Sequence, residues 1–182
     1  MRERFRAQVR DDVKRLALRQ LADAGPEGLS INAIAKQLGV SGPALYRYFD
    51  GREALLTELI ADAYDDLADV LEQAVDAATD DRLRALARAY RAWALAQPHR
   101  YRLLFGPPLP GYDAHAARLV EAAGRSMTTL LAVLGDGEDV ELRAIAIWAR
   151  LHGLVGLELG GNFDSMGVDS DELFERELTA LA

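Results

Sequence analysis

The sequence predicts an all-α protein. Apolar residues recur with the spacing of a helix through most of the chain, and no stretch alternates apolar and polar residues as a strand would. Gly25-Pro26 and the glycine- and proline-rich stretch 106–111 interrupt this pattern, because proline cannot continue a helix. The order of the segments predicts about nine helices, with a three-helix head over residues 1–50 and a helical body over residues 51–182.

The composition narrows the class of protein. With 182 residues, half of them hydrophobic, the chain is large enough for a packed core. It has no cysteine, which excludes disulfides and thiolate metal sites and is compatible with the cytoplasm. The three histidines, His99, His115 and His152, lack metal-ligand spacing, so we expect no metal or cofactor. No apolar run approaches the roughly 20 residues that span a bilayer, so neither a signal peptide nor membrane contact is expected.

Residues 29–49 have the layout of a helix-turn-helix. Ser30 is placed to cap a first helix, and Gly39 to end it in the left-handed conformation. One face of this helix carries Ile31, Ile34, Ala35 and Leu38. Ser41 is placed to cap a second helix that starts at Gly42-Pro43 and buries Leu45, Tyr48 and Phe49. Because such a motif lays its second helix in the major groove, duplex DNA is the first partner to consider.

The charge distribution favours the same partner, although the net charge of −8 does not. Residues 1–60 contain ten Lys or Arg and eight Asp or Glu, a net charge of +2, whereas residues 61–182 contain 11 and 21, a net charge of −10. The part of the chain expected to contact DNA is therefore the positive one.

These features resemble those of the tetracycline-repressor-like (TetR) transcriptional regulators. The resemblance covers the end of the first helix at 23–25, the segment 41–48, and the segment 49–56 that opens a fourth helix. Arg52 stands where the family usually has lysine, and its planar fork differs from a point charge. Residues 90–94, 98–105 and 148–153 resemble a C-terminal subgroup named for its Trp-His-Gly signature. The resemblance implies a homodimeric regulator, usually a repressor, that binds a palindromic operator in double-stranded DNA and responds to a small molecule.

Nine residues are predicted to contact DNA. Gly42, Pro43, Ala44 and Arg47 lie on the outward face of the second helix, and Arg47 is able to contact guanine through two hydrogen bonds. The resemblance implies phosphate contacts for Tyr46 and Tyr48. The resemblance also implies that Ser41 and Arg52 add hydrogen bonds from two helix N-termini. Ser30, the cap of the first helix, completes the set. Alternatively, Tyr48 belongs to the small core and Arg47 is only solvated; Arg2, Arg4 and Arg6 form either an arm on the DNA or a solvated helix start.

A row of small residues predicts a dimer interface. Ala149, Gly153, Gly156 and Gly160 lie on one line of a helix, where glycine costs about 1 kcal/mol relative to alanine. We expect this line to meet a partner subunit, together with a final helix that carries Leu173, Phe174 and Leu178. Tight packing within one chain is the alternative. A two-fold dimer also lets two heads reach successive major grooves about 34 Å apart.

An aromatic set predicts a pocket for a hydrophobic or aromatic effector, largely by the resemblance. It consists of Tyr90, Trp93, Ala94, Tyr101, Leu104, Phe105, Trp148 and His152. Ordinary core packing is the alternative for each residue alone. The row Asp62, Asp65, Asp69, Glu72 and Asp76 follows one face of the long helix that starts at Arg52, and is either solvated or attractive to cationic ligands.

Enzyme chemistry has little support, since the chain has no phosphate loop, dinucleotide glycine pattern, zinc-binding histidine pair or nucleophile elbow. The remaining alternative is a helical ligand-binding or adaptor protein without sequence-specific DNA binding. Tyr46, Arg52 and the positive head favour a DNA reader.

Overall fold

The computed structural model describes residues 2–106 and 117–181. These residues form ten α-helices and one 3-10 turn, with no strand among them, so the predicted all-α class is confirmed. The helices are α1 (Arg2–Ala24), α2 (Ile31–Leu38), α3 (Gly42–Leu45), α4 (Gly51–Ala77), α5 (Arg82–Ala96), α6 (Pro98–Phe105), α7 (Ala117–Leu134), α8 (Val140–Leu159), α9 (Asn162–Met166) and α10 (Ser170–Thr179); the 3-10 turn is Pro26–Gly28.

The helices group into two compact units. The first unit comprises Met1–Ala63 and His99–Val120, and the second comprises Tyr64–Pro98 and Glu121–Ala182. Helix α4 contributes its first half to the first unit and its second half to the second. In each unit the helices pack around buried aliphatic side chains, for example Val13 and Leu55 in the first and Leu71 and Leu151 in the second.

Local signals in the sequence explain how α2 begins and ends. The Ser30 hydroxyl accepts a hydrogen bond from the backbone N–H of Ala33 at 3.3 Å, so the predicted cap is confirmed. Gly39 ends the helix with φ of 68° and ψ of 25°, the left-handed conformation that was predicted. Ile34 and Ala35 are buried on the inner face.

Helix α3 is shorter than predicted. It ends at Leu45, and residues 46–48 form a turn, so Tyr48 and Phe49 follow the helix. Leu45 and Phe49 are buried as predicted, whereas Tyr48 is half-buried. Ser41 precedes the first turn, but its side chain makes no capping hydrogen bond there. Proline at the second position does not set this length, because N–H groups of the first turn have no partner within a helix.

One further element differs from the prediction. Helix α9 is an additional element between Gly161 and Gly167, both of which have positive φ; five residues are too few to show a helical period. Asp169 caps α10 by accepting bonds from the N–H groups of Asp171 and Glu172. Helix α7 is described from Ala117, and the predicted interruption at 106–111 lies, after Gly106, outside the described residues. Within the described ranges, no helix has the length and apolar character to cross a bilayer.

Candidate functional site

The turn after α3 presents polar and aromatic groups on the surface of the first unit. Tyr46 is 50% exposed, and Ser41, Pro43 and Arg47 are exposed as well. Gly42 and Ala44 are half-buried. The exposed hydroxyl and guanidinium groups are hydrogen-bond donors that can reach phosphate oxygens or base edges.

Gly42 lies close to a side chain of α2. A Cβ atom at Gly42 would lie 2.8 Å from Oδ1 of Asn32, which is an exposed side chain. A larger residue at position 42 would therefore displace the side chain of Asn32. Asn32 is a neighbour of α3 that the sequence did not reveal.

Tyr48 is half-buried, and Arg10 of α1 holds the turn that contains it. The Arg10 guanidinium donates to the backbone carbonyl of Tyr48 at 2.7 Å and lies 4.6 Å from the ring centre of Phe49. It also pairs with Glu58 of α4, as does Lys14 at 3.2 Å. Burial raises the pKa of Glu58, but the hydrogen bonds and charges of Arg10 and Lys14 lower it more, so the net pKa is below its usual value. These contacts, here called the Arg10 bracket, join α1, the turn after α3 and α4.

Two of the predicted DNA-binding residues make side-chain hydrogen bonds within the first unit. The hydroxyl of Ser30 caps α2, as described above. Arg52 donates from its guanidinium to the backbone carbonyl of Pro26 at 2.6 Å while remaining exposed. Each of these bonds positions a helix N-terminus of the head.

An apolar cleft of about 380 Å³ lies beside the turn after α3. Its lining includes Phe5 and Val9 of α1 and Val40 and Tyr48 near α3. Phe5 and Val40 are exposed large apolar side chains. The exposure of Phe5 was not predicted, because Phe5 and Val9 have the spacing of ordinary core residues in α1.

In the second unit, Tyr90, Trp148 and His152 come together. The rings of Tyr90 and Trp148 are 5.2 Å apart, and the Tyr90 hydroxyl lies 3.3 Å from Nδ1 of His152. Burial lowers the pKa of His152, so the neutral imidazole is favoured. The Tyr90–His152 pair places polar atoms within a largely apolar interior.

The other predicted effector residues are divided between the units. Trp93 and Ala94 are buried in the second unit, and the indole N–H of Trp93 donates to Asp66 at 2.8 Å. Tyr101, Leu104 and Phe105 belong to α6 in the first unit, where the rings of Tyr101 and Phe105 are 5.1 Å apart. Asp66, which also accepts from Gln97 at 3.0 Å, is a partner that sequence analysis missed because it lies on another helix.

The row of small residues on α8 is open in the single chain. Ala149, Gly153 and Gly160 are exposed and Gly156 is half-buried; a Cβ atom at Gly153 would meet nothing within 4 Å. Exposed Leu142, Ile145 and Leu157 lie on the same face, at helical spacing from Ala149 and Gly153.

The final helix packs inside its own unit. Phe174 and Leu178 are each 3% exposed, and the Arg91 guanidinium lies 4.9 Å from the Phe174 ring centre. Leu173 is half-buried. Arg84, Arg88 and Arg91 of α5 bind α10 through Glu175 and Asp171, and Arg91 also binds Glu158 of α8. The side chains of Phe174 and Leu178 therefore support the interior of one chain and present little surface to a partner.

The acidic row on α4 faces cations of the chain itself. Arg125 of α7 contacts Asp65, Asp69 and Glu72 at 2.8–3.1 Å, and Lys14 contacts Asp62 at 2.7 Å. These carboxylates hold the pKa of Arg125 above its usual range. The contacts of Arg125 with these carboxylates therefore hold α7 against α4. Neither of the two interpretations from the sequence included this role. A cleft of about 600 Å³ lies beside it.

Comparison with known proteins agrees with this architecture. The family described as "Tetracyclin repressor-like, C-terminal domain" matches residues 83–181, and the family described as "Bacterial regulatory proteins, tetR family" matches residues 15–59. The chain belongs to the TetR family of transcriptional regulators.

Individual relatives support the assignment of this TetR-family regulator. The HTH-type transcriptional regulator Rv1816 of Mycobacterium tuberculosis is 42% identical over 137 residues, which cover 72% of this chain and 58% of the relative. Rv0681 of the same species is 34% identical over 175 residues, 95% of this chain and 79% of the relative. The solved structure of SCO4313, named as a regulatory protein, is 46% identical with a TM-score of 0.90 and covers 100% of this chain and 98% of its own.

The two family matches divide the predicted sites of the regulator. All nine predicted DNA-binding residues fall within 15–59, and all predicted effector and interface residues fall within 83–181. The family is one of DNA-binding regulators, not of enzymes.

Proposed function

We propose that this TetR-family regulator acts in the cytoplasm as a homodimer that binds a palindromic operator and is released by a small hydrophobic or aromatic effector. The observation that carries the proposal is the exposed turn after α3, with Tyr46 and Arg47 on the surface of a head held together by the Arg10 bracket. Repression is the sign of regulation typical of the family.

In the proposed complex, Tyr46 and Arg47 make the principal DNA contacts. Both are exposed, and Arg47 has no hydrogen bond or ion pair to another residue of the described chain. Ser41, Gly42, Pro43 and Ala44 let the backbone approach the groove. Ser30, Tyr48 and Arg52 contribute mainly by positioning α2, the turn and α4, since each has a bond or packing contact within the head.

The proposed dimer uses the open face of α8. Small residues let two helix backbones approach closely, and Leu142, Ile145 and Leu157 add apolar area around them. A second copy of the chain is the favoured occupant because two-fold symmetry would present two heads to the half-sites of a palindrome.

The proposed effector binds among Tyr90, Trp148 and His152. These residues belong to the helical body, which follows the head of residues 1–50 that is proposed to bind DNA. Binding releases the operator only if the effector has different affinities for two arrangements of the dimer. Helix α4 is proposed to transmit the effect of the ligand to the head, because it is one continuous helix shared by both units.

The first test is selection of duplex DNA from a random library by the purified full chain. We expect enrichment of a palindrome, with affinity that falls as salt rises. Tyr46→Ala is expected to weaken operator binding at least tenfold, and Arg47→Ala to weaken it or to relax a guanine preference.

Arg143→Ala is the matched control, because Arg143 is an exposed cation on α8 rather than in the head. Equal loss of binding in this control would contradict the assigned interface. No enrichment by a folded dimer would favour the alternative, a helical ligand-binding protein without sequence-specific DNA binding.

A further inference from the structure

One buried hydroxyl in the second unit has no partner. Ser126 of α7 is 2% exposed, and its Oγ makes no hydrogen bond to any residue in 2–106 or 117–181. A buried polar group without a hydrogen bond is unfavourable, and its presence calls for a ligand, a water or another explanation.

The neighbouring hydroxyl groups on α7 behave differently. Thr128 donates to the backbone carbonyl of Gly124 at 3.0 Å, and Thr129 donates to that of Arg125 at 3.1 Å. Both make the bond to the preceding turn that serine and threonine commonly make in helices. Ser126 does not, so its hydroxyl is available to a group outside its own helix.

The surroundings of Ser126 on its helix are apolar. Ala122 and Leu130, one turn away on either side, are buried on the same face of α7. A ligand that reaches this face would therefore bury apolar surface and gain a single hydrogen bond. Serine can donate or accept that bond, so a carbonyl or a hydroxyl group on the ligand would serve.

The charged groups in the interior of this unit are already occupied. Arg91 pairs with Glu158 and Asp171, and Asp66 accepts from Trp93 and Gln97. The neutral form of His152 is favoured, and its ring shares a hydrogen bond with Tyr90. One of these pairs would have to break before an ionised ligand group in this interior gained a counter-charge, and burial of an unpaired charge is strongly unfavourable.

We infer that Ser126 is the hydrogen-bonding anchor for the effector, and that the part of the effector it meets is uncharged. This inference rests on the proposed effector response and specifies its chemistry: an apolar molecule that carries a neutral hydroxyl or carbonyl group, rather than a fatty or aromatic acid bound through its carboxylate.

The test compares matched probes on the full chain. Decane, 1-decanol and decanoate form one series, and naphthalene, 2-naphthol and 2-naphthoate form another. Binding is measured by calorimetry and by the shift in Tm. We expect at least one alcohol to bind more tightly than both its hydrocarbon and its carboxylate. Ser126→Ala should weaken that alcohol about tenfold, the effect of one lost hydrogen bond, and leave the hydrocarbon unchanged.

Thr129→Val is the matched control, since it removes a hydroxyl of the same helix that the backbone already satisfies. It should leave the preference for the alcohol intact. The inference is overturned if Ser126→Ala raises Tm without changing the affinity for the alcohol, if the carboxylates bind best, or if no probe binds.

Operator binding is measured in parallel for each variant. If the operator is bound but the alcohols are not recognised through Ser126, the inference fails and the DNA-binding function stands. If binding of the alcohols depends on Ser126 but no operator is found, the role of Ser126 as the hydrogen-bonding anchor is supported and the proposed regulatory function fails.

Discussion

At the scale of single residues, Glu58 has the clearest energetic role. Its carboxylate is largely buried and receives both Arg10 and Lys14, so it connects α4 to α1 and, through Arg10, to the turn that bears Tyr48. Loss of this carboxylate would leave Arg10 with its bonds to the turn but without its counter-charge. The bracket therefore stabilises the surface that is proposed to meet DNA.

We expect Glu58→Gln to lower the free energy of unfolding by about 1–2 kcal/mol at pH 7. Because the folded state lowers the pKa of Glu58, its contribution is complete above the ordinary value of 4.5 and disappears as the pH falls through the lower folded value. Denaturant titrations of wild type and variant at a series of pH values measure this difference.

Glu53→Gln, on an exposed position of the same helix, is the control and should change stability little. A difference between wild type and Glu58→Gln that persisted unchanged at pH 2 would contradict the assigned charge bracket.

At the scale of helices, the ion pairs of Arg125 link α7 to α4. One guanidinium contacts three carboxylates on successive turns, and these carboxylates would repel one another without it. The pairs are partly exposed, so salt should weaken them.

Arg125→Ala is expected to lower the free energy of unfolding by about 1 kcal/mol in low salt, and by less in 1 M salt. Arg143→Ala, which removes an exposed arginine without an ion pair in the described structure, should have little effect at either salt concentration. Equal destabilisation by the two variants, measured by denaturant titration, would show that the Arg125 contacts contribute nothing specific.

At the scale of the whole molecule, the open face of α8 is the proposed dimer interface. We expect Gly153→Arg to convert the dimer to a monomer and to lower operator affinity at least tenfold, because a bulky charge would stand between two closely packed helices. The single chain has room for the side chain, so helicity should be retained. Light scattering after gel filtration measures the mass, and circular dichroism the fold.

Gly124→Arg makes the same change at an exposed helical glycine of α7 that also has open space around it. This variant should remain a dimer. If Gly153→Arg also remained dimeric, the proposed interface would be wrong, and the small residues on α8 would need another explanation.

The sequence by itself determined the class of the protein and the position of its recognition motif. Helical periodicity, the cap at Ser30 and the left-handed Gly39 are local properties, since each depends on residues within one or two turns. The resemblance then identified the family, whereas the DNA contacts it implies for residues of the head stay predictions. Helix α9 was missed because it is too short for a period, and α3 was overextended because Tyr48 and Phe49 continue an apolar spacing beyond the last helical residue.

Only the tertiary structure decided which side chains meet. Arg10 reaches residues 38 and 48 positions away, Arg125 neutralises an acidic row more than 50 positions away, and the aromatic set divides between two units. Such partners depend on how distant helices pack, and helical spacing reveals only which face a residue occupies. The unpaired hydroxyl of Ser126 is of the same kind, because its significance depends on burial and on a rotamer that no local pattern specifies.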